Sequence, residues 1–275
     1  MPILHAIVLG ITQGLSEFLP VSSSGHLILV PWLFKWTELT RHPDLNKTFD
    51  VALHIGTFVG AIAYFRLELL RLLAAALRTV RRRRIETPDE RLAWLLLLSA
   101  VPGALTGAAL ESVIEEHLGK PWLIGIMLIV FGLVLGASDR LAERREMGEF
   151  GLRDAVLMGV AQAAALQPGV SRSGVTISAG RALGYTRDAA ARISFLMSLP
   201  IIGGAGLYKA LDVAGGSGIP AGFGPAFAWG FVASAVTGFA AVWLLLRYVR
   251  THSFAPFVAY RVAVGVVVLV IAALR

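Results

Sequence analysis

The chain is 275 residues long, 56% hydrophobic and only 16% charged, with a mean hydropathy of +0.71. Soluble domains average about 45–50% apolar and about 25% charged, so this balance excludes an ordinary soluble enzyme and, more firmly, a disordered chain. The absence of cysteine excludes a disulfide scaffold, a thiolate zinc site and a cysteine nucleophile. A net charge of +7 would suit nucleic acid in a soluble protein, but here the arginines fall between apolar runs, as the positive-inside rule expects. The composition predicts an all-α polytopic membrane protein that binds no nucleic acid.

The first apolar segment, 3–33, is interrupted by Gln13, Glu17, Pro20, a serine run and His26. Its start lacks a basic n-region, which argues against a cleaved signal peptide. Irregular backbone at membrane depth is tolerated only inside protein or beside a water-filled cavity, so 3–33 is predicted as a re-entrant helical hairpin. Spans follow at about 49–77, 92–110 and 121–138, each near the roughly 20 apolar residues a bilayer core needs. A second broken segment, 152–183, is predicted as another re-entrant hairpin, followed by spans at about 193–211, 225–246 and 256–274. Arginines crowd 78–91 and 140–153, whereas Glu111, Glu115 and Glu116 make the intervening loop acidic and 212–224 is almost uncharged. Both arginine loops are therefore expected on the cytoplasmic side.

Laid so that Gly10 meets Gly159, residues 5–25 meet 154–174 without a gap. Gln13 then meets Gln162, Val21-Ser22 meets Val170-Ser171 and Ser24-Gly25 meets Ser173-Gly174. A second alignment lays Trp94 on Trp229, Pro121 on Pro256 and Arg140 on Arg275. The chain is thus predicted to hold two copies, 1–150 and 151–275, each a hairpin plus three spans. Three is odd, so the second copy enters the membrane upside down, an inverted-topology repeat whose broken segments meet near the midplane.

Two polar constellations occupy the breaks. In the first, Gln13 and Glu17 share a helix face, Pro20 ends or kinks that helix, and Ser22-Ser23-Ser24-Gly25 suits the cap of the next, with His26 one turn on. A carboxylate, a hydroxyl and an imidazole in an apolar segment are functional candidates by default. In the second, Pro168-Gly169-Val170-Ser171-Arg172-Ser173-Gly174-Val175-Thr176 offers close backbone approach at Gly169 and hydroxyls at Ser171, Ser173 and Thr176. Arg172 adds a planar fork suited to phosphate. Its anion is either Glu17 or a phosphate ligand, and the number of surrounding donors favours phosphate.

These residues carry a resemblance. The chain is similar to the undecaprenyl-diphosphate phosphatases, the bacitracin-resistance family of bacterial inner-membrane enzymes. Their signatures are Glu/Gln-x-x-x-Glu leading into Pro-Val-Ser-Ser-x-Gly-His, and Pro-Gly-x-Ser-Arg-Ser-x-x-Thr, and both are present at Gln13–His26 and Pro168–Thr176. The resemblance implies hydrolysis of the terminal phosphate of an undecaprenyl diphosphate, recycling the carrier lipid for peptidoglycan synthesis and conferring bacitracin resistance. It also implies a divalent cation, Mg²⁺ or Ca²⁺, for which Glu17 and Gln13 are the candidate ligands. Phosphoryl transfer depends on positioning and charge stabilisation, and the residues fit that need. Glu17, Ser23, His26 and Arg172 are the expected catalytic set; Ser22, Ser24, Gly169, Ser171, Ser173 and Thr176 are expected to bind substrate. Ser23 beside His26 would supply a hydroxyl–imidazole pair, with His26 itself, or water, as the other candidate nucleophiles.

The expected partners are the lipid substrate and the membrane, with a homodimer left open, and the site is expected to open to the periplasmic side of the inner membrane. The competing reading is an inverted-repeat transporter or flippase for a polyprenyl-phosphate lipid. A type-2 phosphatidic-acid phosphatase is excluded, because no histidine follows Arg172 until His252. Asp50 and His54, four apart, either join the metal or acid-base shell or form a local hydrogen-bonded pair, and the local pair is favoured. Arg181, Arg187 and Arg192 are explained by topology or headgroup contact, and His5, His42, His117 and His252 show no metal-ligand spacing.

Overall fold

In a computed structural model of the chain, residues 1–36, 43–215 and 222–275 are described; His42 lies outside them, as do the side chains of Glu111, Glu115 and Glu116. Ten α-helices and one 3₁₀ turn, Met147–Glu149, occupy the described residues, with no strand among them. Among the described residues, five helices are long and apolar enough to cross a membrane. They are α4 (Pro88–His117), α5 (Pro121–Asp139), α8 (Arg187–Gly215), α9 (Gly224–Tyr248) and α10 (Ala255–Leu274). The chain is a multi-pass helical membrane protein. The helix α3 (Pro43–Arg82) contains the sixth expected span but is not among the five. Asp50, His54, Arg66, Glu68 and Arg71 punctuate its apolar run.

Each broken segment is a pair of short helices: α1 (Ile3–Phe18) with α2 (Ser23–Phe34), and α6 (Leu152–Ala164) with α7 (Arg172–Ala182). Pro20 lies in the first break, two residues past the end of α1, as its missing N–H requires. The second helix of each pair starts from a serine in the left-handed region, Ser22 at φ 79° and Ser171 at φ 73°. Each serine caps its own helix, Ser22 Oγ accepting from Gly25 N and Ser171 Oγ from Gly174 N. A non-glycine residue with positive φ is uncommon and costs conformational energy; here it recurs at the two positions the internal alignment superposes.

Small residues bring the helices together. α1 lies on α9 so closely that a Cβ at Gly14 would strike Thr237 and the Ser234 carbonyl, the kind of approach small residues permit in membrane interfaces. α3 also packs on α9, α5 on α10 and α4 on α6. At the arginine-rich end the charges are paired. Asp139 accepts from Arg187 Nε (2.6 Å) and from Phe254 N (3.0 Å), tying α5 to α8 and to the turn before α10. Arg181 is 1% exposed and donates to the carbonyls of Tyr185, Asp139 and Leu141. Arg181 is therefore a buried brace rather than the headgroup contact or topology signal its sequence position suggested; Arg187 and Arg192 are likewise ion-paired, with Asp139 and Asp188.

Candidate active site

The two breaks lie against each other. Gly169 N donates to Ser22 Oγ (3.0 Å) and Ser173 Oγ donates to the Leu19 carbonyl (3.1 Å), so each hairpin uses a serine to hold the other. Between them opens a cavity of about 330 Å³. Glu17, Ser23 and Ser24 line it from the first hairpin, Gln162, Ser171 and Arg172 from the second, and His54 from α3.

Glu17, 5% exposed, is the hub. Its Oε2 accepts from Ser23 Oγ (2.6 Å) and Gln13 Nε2 (2.8 Å), and its Oε1 pairs with the Arg172 guanidinium. The carboxylate thus orients a hydroxyl on one side and an arginine fork on the other, joining residues 155 positions apart. Charge-assisted bonds of this kind are the strong ones. A ligand phosphate entering the cavity would meet the same guanidinium, Ser24 and Ser171.

His26 stands elsewhere. Its Nδ1 lies 2.7 Å from the Ser22 carbonyl and its Nε2 2.8 Å from Tyr260 Oη. Since the carbonyl only accepts, Nδ1 carries the hydrogen and Nε2 receives the tyrosine hydroxyl. Both ring nitrogens are engaged, so the expected Ser23–His26 pair is not formed. The imidazole that does face Glu17 is His54, its Nε2 3.7 Å from Oε2 and its Nδ1 2.8 Å from the Asp50 carbonyl. The local Asp50–His54 pair therefore runs through the backbone carbonyl and turns the other nitrogen toward the site.

The remaining expected contacts divide in two. Ser24 and Ser171 line the cavity, Ser171 Oγ also capping α7 and lying 3.2 Å from Ser173 Oγ. Ser22, Gly169, Ser173 and Thr176 build the scaffold instead: Thr176 Oγ1 lies 2.6 Å from Ser194 Oγ and donates to the Arg172 carbonyl. Gly169 (φ +97°) could not be replaced without a Cβ meeting the Ile124 carbonyl at 2.8 Å.

Two residues of α10 were missed. Arg261 is fully buried, and its guanidinium reaches Pro20 O (3.1 Å) in the first break and Gly169 O (2.8 Å) and Val170 O (2.9 Å) in the second. It also donates to Leu128 O on α5 (3.2 Å). Its neighbour Tyr260 holds His26. The signal was available: an arginine inside the last apolar run is costly unless it has partners.

As for a metal, no group of three His, Asp or Glu side chains is gathered among the described residues. Mg²⁺ is commonly held by one or two carboxylates with substrate phosphates supplying further oxygens. Glu17 and the buried Oε1 of Gln13, which has no hydrogen-bond partner, fit that mode of binding.

The chain is similar to known proteins over nearly its whole length. Residues 6–267 match the family described as bacitracin resistance protein BacA. The chain is 50% identical over 267 residues to an undecaprenyl-diphosphatase of Pelobacter propionicus, covering 96% of this chain and 95% of that protein. It is 48% identical to those of Pelotomaculum thermopropionicum (100% and 98% covered) and Geobacter sulfurreducens (98% of each). With both sequence signatures lining or supporting one cavity, and the match running through nearly its whole length, the chain belongs to the BacA family.

Proposed function

We propose that the protein is an integral-membrane phosphatase that hydrolyses undecaprenyl diphosphate to undecaprenyl phosphate and inorganic phosphate. The observation that carries this reading is the hydroxyl of Ser23 held at 2.6 Å by Glu17 in a cavity that also presents Arg172. A transporter needs a polyanion site but no hydroxyl aligned on a carboxylate, so the arrangement favours the enzyme.

The chemistry follows from the same atoms. The terminal phosphate draws the Arg172 guanidinium from Glu17, with Ser24 and Ser171 adding donors; charge developing on the transferring group is stabilised there. Release of Arg172 leaves Glu17 a stronger base for the proton of Ser23 Oγ. That oxygen attacks the terminal phosphorus, the bridging P–O bond breaks, and Glu17 passes the proton to the departing lipid phosphate. In the second half Glu17 takes a proton from water. The water oxygen attacks the phosphoserine phosphorus, the Ser23 O–P bond breaks, and Glu17 returns its proton to Oγ. His26 acts as a positioning residue, fixing Ser22 at the head of α2. A divalent cation held by Glu17 and Gln13 would neutralise phosphate oxygens as a Lewis acid.

We also read 1–150 and 151–275 as two halves inserted in opposite senses, six spans and two re-entrant hairpins in all. The support is the matched left-handed serines at the two breaks. With the arginine loops in the cytoplasm of a bacterial inner membrane, the cavity opens toward the periplasmic side. The test is direct: purified protein in detergent with Mg²⁺ or Ca²⁺ releases phosphate from undecaprenyl diphosphate. No release with either ion would return the transporter reading to first place.

A further inference from the structure

Next to the candidate site, on the same helices, lies a second cavity of about 540 Å³ that is almost wholly apolar. On α3, His54 lines the polar cavity, and Phe58, Ile62, Arg66, Leu69 and Leu73 continue the same face at spacings of three and four into the apolar one. On α8, Gly206 and Ile202 line the first, and Leu199 and Leu196 the second. On α4, Gly103 lines the first, and Leu97 and Ala93 the second. All three helices make the transition in one direction, from the polar breaks toward the arginine-rich end. The junction falls at Pro200, where Phe58 lies against Gly203. At 1.5 Å rise per residue, the stripe from His54 to Leu73 is about 28 Å long, close to the hydrocarbon thickness of a bilayer.

This opening belongs to one half of the molecule. The internal alignment pairs α4 with α9, and where α9 meets α3 the seam is shut: Gly56 and Gly60 sit directly on the backbone of Phe231 and Ala235. Where α4 faces α3 and α8, Ile62 and Leu97 remain 38% and 44% exposed at the mouth of the trough.

We infer that the trough between α3, α4 and α8 is the seat of the substrate's polyprenyl tail, leading from the phosphate cavity toward the cytoplasmic leaflet. The inference rests on the phosphatase reading, which supplies an occupant with a diphosphate head at the polar end and a long branched hydrocarbon behind it. The two cavities share no lining residue and are parted where Phe58 lies against Gly203, but their succession along three helices selects this occupant over an unattached acyl chain of the bilayer. The first isoprene units pass between Phe58 and Pro200 once the Phe58 ring turns away from Gly203, and later units lie along Ile62, Leu97 and Leu196.

Chain length is the experimental variable. Ile62→Trp and Leu97→Trp place bulk at the mouth of the trough, away from Glu17, Ser23 and Arg172. For wild-type and each variant, kcat/KM is measured in detergent for undecaprenyl diphosphate and for the three-isoprene farnesyl diphosphate. The ratio of the long to the short substrate is expected to fall at least tenfold in both variants, with the farnesyl value within twofold of wild-type. An unchanged ratio in both overturns the inference. Loss of both substrates already in the wild-type protein refutes the phosphatase reading itself, so the two failures are distinguishable. A second measurement does not depend on how the variants fold. A polyprenyl diphosphate with a diazirine near its tail end is expected to label α3 or α4 within the trough, competed by unlabelled undecaprenyl diphosphate. Label confined to other helices, or trough label not displaced by that competitor, overturns the inference.

Discussion

Replacing Arg261 by methionine removes a side chain that reaches both breaks from outside either hairpin. The guanidinium leaves three carbonyls that no helix uses, those of Pro20, Gly169 and Val170, at 2.8–3.1 Å in the native structure. A buried acceptor left without a partner costs about 1–3 kcal/mol. At the lower bound the three together cost about 3 kcal/mol, and methionine's similar length recovers little, because its thioether donates nothing. At about 2–4 °C per kcal/mol for a chain of this order of size, the melting temperature should fall by about 6–12 °C. Arg261→Lys keeps a donor for one or two carbonyls and should lose roughly half as much. Because Gly169 and Val170 lead directly into Ser171 and Arg172, turnover should fall in both variants at temperatures well below melting, with KM changing less than kcat. The assays are thermal unfolding in detergent and phosphate release on the same preparations. An Arg261→Met protein melting within about 1 °C of wild-type and turning over normally would refute this reasoning.

Other outcomes follow from the same contacts. Ser22→Ala loses both the cap of α2 and the bond from Gly169 N; it should destabilise by about 1–2 kcal/mol, read by thermal unfolding. Tyr260→Phe frees His26 Nε2 and should change the pH profile of kcat, whereas unchanged profiles would show that the imidazole does not touch the chemistry even indirectly. Arg172→Lys keeps the charge but loses the fork, and should lower kcat/KM about 10²-fold or more, read by phosphate release. At the arginine-rich rim, burial pushes the Asp154 carboxyl up, but bonds from Arg145, Tyr185 and Gly151 N outweigh it and hold the group below its ordinary value. The stabilisation is therefore complete above the ordinary carboxylate pKa of about 4 and lost progressively as pH falls from there through the lowered value of the folded protein. Melting temperature should drop on acidification in the wild-type protein, and less steeply in Asp154→Asn.

Much of this molecule was legible before any coordinates. The breaks at Pro20 and Ser171 could be read because proline, serine and glycine inside apolar runs admit few structural explanations. That Glu17 and Arg172 share one site followed from the internal repeat, which places the two breaks together; their direct ion pair was the alternative the number of surrounding donors had ranked behind a phosphate. Other features depended on directions that sequence does not encode. His26 was expected beside Ser23 from spacing alone, but α2 starts at Ser23 and turns the ring toward Tyr260 on the last helix. For His54 the sequence left two places open, the site and a local pair with Asp50, and favoured the pair; only the packing of α3 brings its ring to Glu17. Ser173 and Thr176 resembled ligand donors, yet their hydroxyls are spent on Leu19 O and Ser194 Oγ, contacts that depend on how α1 and α8 pack. Arg261 escaped because one charge inside a strongly apolar run does little to its average.

The central claim is that one site, built half from each hairpin, performs the hydrolysis. Its most direct test is the rate of phosphate release from undecaprenyl diphosphate by purified Ser23→Ala and Arg172→Ala, each shown by thermal unfolding to be folded. The account predicts that either substitution alone reduces the rate at least a hundredfold; both variants working at the wild-type rate would contradict it.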